Sequence, residues 1–227
     1  MTEGNRFHEV AEEFRTVVAG RSSIVDAVLP PVAFLLLNAT LGFTVASWGS
    51  LGVAAILGML RLLRGQPWGY AVGGLAATTF AILSALVSSQ AQGYFLPNLI
   101  NGGITALICL VSILVQRPLA AVTSHLARGW PLGWYWHSKV RPAYSEVTLA
   151  WAVFFGVRLA LQWLLFGRLN AAALGLISIL LGWPATILLL VLSYLYGTQR
   201  LQRLDGPSVE EYEENKPSPW EGQQRGF

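Results

Sequence analysis

Residues 146–166, EVTLAWAVFFGVRLALQWLLF, are apolar enough and long enough to cross a bilayer, yet they enclose Arg158. A helix rises about 1.5 Å per residue, so Arg158 sits roughly 18 Å from Glu146, beyond the midplane of a hydrocarbon core about 30 Å thick. Its side chain does not reach the near surface easily from there. A cation at that depth costs at least about 2.5–3.5 kcal/mol on insertion scales, so it faces the protein interior and the acceptors there. The chain is therefore expected to surround Arg158 with other membrane spans.

The composition agrees with this reading. Of 227 residues, 54% are hydrophobic and only 12% are charged, against roughly 25% charged residues in a soluble domain. Mean hydropathy is +0.51. The net charge of +3 is carried beside apolar segments, without the aromatic-interleaved basic surface that grips a nucleic-acid strand, so nucleic acid is not an expected partner. A single cysteine, Cys109, lies within an apolar run and excludes an internal disulfide or a cysteine-based metal cluster.

Taken in order, residues 1–23 are polar and rich in glutamate, unlike a signal peptide. Phe7, Val10, Phe14, Val17 and Val18 recur at helical spacing and predict an amphipathic helix lying on the membrane surface. Residues 25–63 would span nearly 60 Å as one helix, about twice a bilayer, so they must form a hairpin. The weak stretch 42–50 is the expected turn. Residues 67–89 make a third span, with Gly69, Gly73 and Ala77 as a small-residue packing face. Residues 93–116 make a fourth, whose Asn98, Asn101, Thr105 and Ser112 share one helical face. Residues 117–144 mix Trp130, Trp134, Tyr135 and Trp136 with cations and read as an interfacial segment. The Arg158 span is the fifth, and residues 171–197 form a sixth, bent at Pro184.

The expected fold is thus all-α, a polytopic bundle of six transmembrane helices over residues 24–200. The amphipathic segment 1–23 precedes it, and an acidic tail, 201–227, follows; the tail lacks apolar periodicity and is expected to be disordered. With both termini inside, thirteen of the 15 Lys and Arg residues fall on the cytoplasmic side, against Arg168 outside and Arg158 embedded. Such a bias sets orientation.

Depth arithmetic brings Asn38, Asn101 and Arg158 to one layer, with Gln162 one turn from Arg158 and Asn98 on the asparagine face. Amide oxygens can accept from a guanidinium but cannot neutralise it. Two readings follow: Arg158, with Gln162, Asn38, Asn98 and Asn101, binds an anionic small molecule or lipid headgroup, or Arg158 is a structural brace. Nearer the inner surface, Asp26 and Glu146 are expected to form ion pairs with Arg61, Arg64, Lys139 and Arg141, which close that face. His8, His125 and His137 are scattered, and no HExxH, GxSxG or phosphate-binding loop occurs. The sequence therefore points away from an enzyme, and implies no cofactor and no metal.

Leu29, Pro30 and Phe34, Asn101 with the later run ITALICLVSILVQRPL, and LAWAVFF at residues 149–155 resemble the intracellular septation protein A family. YFLPNLIN at residues 94–101, with Arg158 and Gln162, is similar to a mainly actinobacterial membrane family of unknown function. The resemblance covers roughly residues 24–200. It implies a small multi-pass protein of the bacterial inner membrane, with a role in envelope maintenance or septation in the first group, from which Arg158 departs. Two functional classes follow. The first is a non-enzymatic scaffold whose surface segments and acidic tail meet envelope proteins; the alternative is a carrier or binding protein for a small anion or lipid, centred on Arg158. The oligomeric state is left open.

Overall fold

A computed structural model describes residues 21–168, 170–224 and 226–227, the side chains of residues 21–27 and 70 excepted. The expected amphipathic helix within residues 1–23 and the side chain of Asp26 lie outside the described residues. Every regular element among them is helical: α1 (Arg21–Leu41), α2 (Phe43–Leu63), α3 (Trp68–Ser88), a 3-10 turn (Ala91–Phe95), α4 (Leu96–Leu114), α5 (Leu119–Arg128), α6 (Leu132–Tyr135), α7 (Arg141–Gly167), α8 (Ala171–Leu180), α9 (Trp183–Arg203) and α10 (Val209–Glu213).

Five segments are long and apolar enough to cross a membrane: Phe43–Leu63, Ala71–Ser88, Ala91–Leu114, Arg141–Gly167 and Ala171–Arg203. The first helix adds a shorter apolar stretch, Val28–Leu41. The protein is an all-α polytopic membrane protein. Each helix satisfies its own interior backbone polar groups, as a bilayer requires of any segment that crosses it.

The chain divides into two units, residues 1–97 with 168–179 and residues 98–167 with 180–227. In the first, α1 and α2 form the expected hairpin, but its turn is much shorter than stretch 42–50. Only Gly42 leaves the helical conformation, at φ +83°, a region that favours glycine. The polar residues beyond it do not make a loop, because their hydroxyls return to the helix: Ser47 Oγ donates to Phe43 O at 2.9 Å and Ser50 Oγ to Ser47 O at 3.1 Å. Gly49 admits Leu37 where a Cβ would collide with it.

The packing face of α3 differs from the expected one. Ala71, Thr78, Ala81 and Ala85 are buried, and Gly58 of α2 packs against Ala71, where a Cβ would sit in ordinary contact at 3.6 Å. Gly69, Gly73 and Ala77 fall on the opposite, exposed side of the helix. Both faces carry small residues, so small size alone does not choose between them. Phe34 and Tyr94 close this unit, their rings stacked at 4.1 Å and 14°, with Gly175 of α8 against Leu35 and Phe95.

In the second unit α5 and α6 begin directly after Pro118 and Pro131. The unpaired first N–H groups of α5 find side-chain acceptors: Leu119 N donates to Ser112 Oγ at 3.0 Å and Ala120 N to Thr148 Oγ1 at 3.1 Å. The segment 117–144, expected at the headgroup surface, also supplies much of the core of this unit. Trp134, Tyr135 and Tyr144 are fully buried, with Ala120, Ala121, Val140, Ala143, Val147 and Leu201 around them. Aromatic rings bury more area than any other side chain, and α7 and α9 supply the surface to receive them.

The acidic tail, expected to be disordered, is folded. Ser208 and Glu211 form a capping box that starts α10. The Glu211 carboxylate further accepts from the main-chain N–H of Glu221 at 2.8 Å. Trp134 Nε1 donates to Pro207 O at 2.9 Å. A few strong local contacts and the neighbouring aromatic cluster thus replace the apolar periodicity that the tail lacks. The sixth span is interrupted at residues 181–182, and Pro184 lies in the first turn of α9 rather than at a bend inside a continuous helix, where its missing N–H breaks no bond.

Candidate functional site

Arg158 is set by the face of α7 that points inward. Tyr144, Val147, Thr148, Ala152, Arg158 and Gln162 are all buried and recur at helical spacing, so Arg158 continues the stripe that packs the aromatic core. It is 8% exposed, and Gln162, one turn on, is 0% exposed. On the facing helix α4, Leu99, Gly102, Ala106 and Cys109 are the buried residues. Gly103 lets α4 approach until a Cβ there would lie 3.4 Å from Leu159 of α7.

Arg158 Nη2 donates to Asn98 Oδ1 at 2.8 Å. Its Nε is buried with no hydrogen-bond partner, and no ion pair reaches it among the described residues. A guanidinium has five N–H donors in a fixed fork, and the neutral amide oxygen beside it leaves the charge uncompensated. Such an arrangement can accept an oxyanion, which would bring both the acceptor and the negative charge that the protein side does not provide.

Of the other residues that the sequence placed around Arg158, Asn101 is exposed on α4. The reason is angular: at about 100° per residue, Asn98 lies roughly 60° from the centre of the buried line on α4 and Asn101 roughly 120°. Asn38 is half-buried on α1, in the first unit.

The partner of Glu146 also differs from those expected. Glu146 is held by Arg200, with Nε to Oε2 at 2.8 Å and Nη2 to Oε1 at 2.8 Å, and by Tyr196 Oη at 2.6 Å. Lys139 and Arg141 do not take part. Arg141 Nη1 donates to Gln116 Oε1 at 2.8 Å, and Lys139 Nζ to Asp205 O at 3.3 Å. Position explains this, since Arg200 on α9 presents its planar fork side-on to the carboxylate, a geometry that a lysine cannot offer. Arg61 lies in the last turn of α2 and Arg64 is its C-cap, both in the first unit.

Outside the spans, hydrogen bonds from the main chain of Ser208 and Glu221 hold the Glu211 carboxyl below the usual carboxylate range. Burial, aided by Lys139, lowers the His137 imidazole, while burial raises the Tyr135 phenol despite its hydrogen bond with Ser124. The sequence reading missed Arg200, Glu211 and the buried aromatics as organising residues. The spacing of Ser208 and Glu211 was a legible signal for the second of these.

The sequence matches the family described as protein of unknown function (DUF3159) over residues 18–203. The chain belongs to the DUF3159 family. The matched span contains Arg158, Asn98, Gln162 and the Glu146–Arg200 pair, whereas α10 and the rest of the tail lie beyond it. No curated protein matches this DUF3159 chain, and no solved structure does.

Proposed function

We propose that this integral membrane protein binds an oxyanion, the carboxylate or phosphate of a small acid or a lipid headgroup, at Arg158 within the membrane. The observation that carries the reading is the buried Arg158 Nε, which lacks a hydrogen-bond partner beside a neutral Asn98. Buried polar atoms are nearly always paired, so an orphan on a cation is a reason to seek a ligand. The scaffold reading, in which surface segments and the acidic tail meet envelope proteins, keeps the exposed residues 213–219 as a surface, but it offers no partner for the orphaned Arg158 Nε. The charge bias of the sequence supports an orientation with both termini on the cytoplasmic side, and the family resemblance supports a bacterial inner membrane. In this reading the ligand is met within the bilayer.

Native mass spectrometry of the wild-type protein, Arg158→Met and Arg158→Lys tests the proposal. An anionic adduct should accompany the wild type, persist in part on Arg158→Lys, and vanish from a folded Arg158→Met, because a point charge lacks the planar fork. Reloading stripped protein with phosphatidic acid or with inorganic phosphate separates the lipid source from the free anion. Identical adduct profiles for all three forms would refute the reading.

A further inference from the structure

The last two residues of the tail are read in unusual detail by the second unit. The Phe227 ring stacks on Tyr144 at 4.2 Å and 13°, and it occupies the space where a Cβ on Gly197 of α9 would collide with it. Arg128 Nε donates to the Phe227 main-chain oxygen at 3.0 Å. The same guanidinium lies 4.9 Å from the centre of the Trp130 ring and 6.0 Å from that of Tyr194. Gly226 adopts φ +102°, and a Cβ there would come within 2.8 Å of Tyr194 Oη. Ring, acceptor oxygen and preceding glycine therefore each have a dedicated counterpart, drawn from α5, α7 and α9.

Most of the polypeptide that leads to this contact is solvent-facing. Residues 213–219 are exposed; the tail is tied before them through Pro207 and Glu211, and after them through Trp220 against His137 and Lys139 and through Phe227 in its socket. Gly197 is costly for α9 itself, because glycine is a poor residue for a helix interior, and the space it leaves is filled by Phe227. We propose that the Tyr144–Gly197–Arg128 socket is a recognition site for a glycine-preceded aromatic residue with an adjoining acceptor oxygen, filled in cis by Gly226–Phe227. Filling it latches α5 and α6 onto α7 and α9.

Gly197→Ala tests whether the filled socket matters, since alanine is the better helix former and improves α9 if the socket is immaterial, and an added dipeptide separates recognition from packing. Hydrogen exchange of full-length protein in detergent is the readout. The latch predicts at least tenfold faster exchange across residues 119–135 in Gly197→Ala and in Phe227→Ala. Added N-acetyl-Gly-Phe should slow exchange again in Phe227→Ala but not in the double variant, whose socket is blocked. Unchanged or slower exchange in Gly197→Ala overturns the proposal, as does failure of the dipeptide to act on a folded Phe227→Ala. Should Phe227→Ala fail to fold, the direction of change in Gly197→Ala decides alone.

Discussion

Replacing Trp134 by phenylalanine removes one hydrogen bond and part of one ring from the best-packed region of the second unit. Trp134 is 0% exposed, and its indole N–H donates to Pro207 O at 2.9 Å. Its ring lies 5.4 Å from Trp130, 5.0 Å from Tyr135 and 6.2 Å from Tyr144. Removing the donor leaves the buried Pro207 carbonyl unsatisfied, which costs about 1–3 kcal/mol. The smaller ring leaves a void worth about 1 kcal/mol. Trp134→Phe should therefore cost about 2–4 kcal/mol. Trp220→Phe is the control: that indole donates to Lys216 O at 2.9 Å within the tail, at the surface, where water can replace it and the loss should stay below about 1 kcal/mol. Unfolding in mixed micelles followed by far-UV circular dichroism compares the two. Equal losses would mean that Trp134 does not hold the tail, and the folded-tail account would fail.

Glycine substitutions test the first unit, because a Cβ on Gly93 would lie 2.8 Å from both Ala85 Cα and Ser84 O, whereas Gly73 faces open space. Gly93→Ala should cost about 1–3 kcal/mol through backbone displacement, and Gly73→Ala should be neutral or stabilising; melting in detergent that ranks them the other way would contradict the packing described. The Glu211 carboxyl is held below its ordinary value of 4.5, so its contribution to tail folding is fully present above that pH and is lost as pH falls through the lowered value. Proteolysis of residues 205–227 should accelerate only in strongly acidic buffer, while Glu211→Gln should be susceptible already at neutral pH; a wild type that loosens near neutrality would argue against the capping role. Reporter fusions at Gln66 and at Arg168 should report opposite sides of the membrane, and the same side for both would undo the topology.

Much of the fold was legible because the bilayer imposes a length on each apolar run. The 25–63 hairpin and the inward orientation of Arg158 follow from rise per residue and the cost of a buried charge. Which side of a helix packs was not legible where two faces look alike. On α4 the polar face and the small-residue line are offset, so Asn98 reaches Arg158 while Asn101 stays exposed. On α3 two small-residue faces compete, and contact with α2 and Tyr94 selects the one through Ala71 and Thr78. The tail was misjudged because composition averages over residues. Glu211 is buried and serves several main-chain donors, whereas its neighbours Glu210 and Glu213 are exposed. Trp134 and Tyr135 likewise carry an interfacial composition but are enclosed, since α7 and α9 present a surface that no local pattern announces.

The most direct test of the central claim observes Arg158 itself. The ¹H–¹⁵N correlation of its Nε, assigned by its loss in Arg158→Lys, can be followed while stripped protein is titrated with inorganic phosphate, short-chain carboxylates and a phosphatidic acid. Oxyanion binding predicts a saturable shift of this resonance with slowed solvent exchange as the buried Nε gains an acceptor, and a matching response of the Asn98 side-chain amide. A resonance unmoved by any of these anions, while the protein remains folded, would make Arg158 a structural brace and contradict the account.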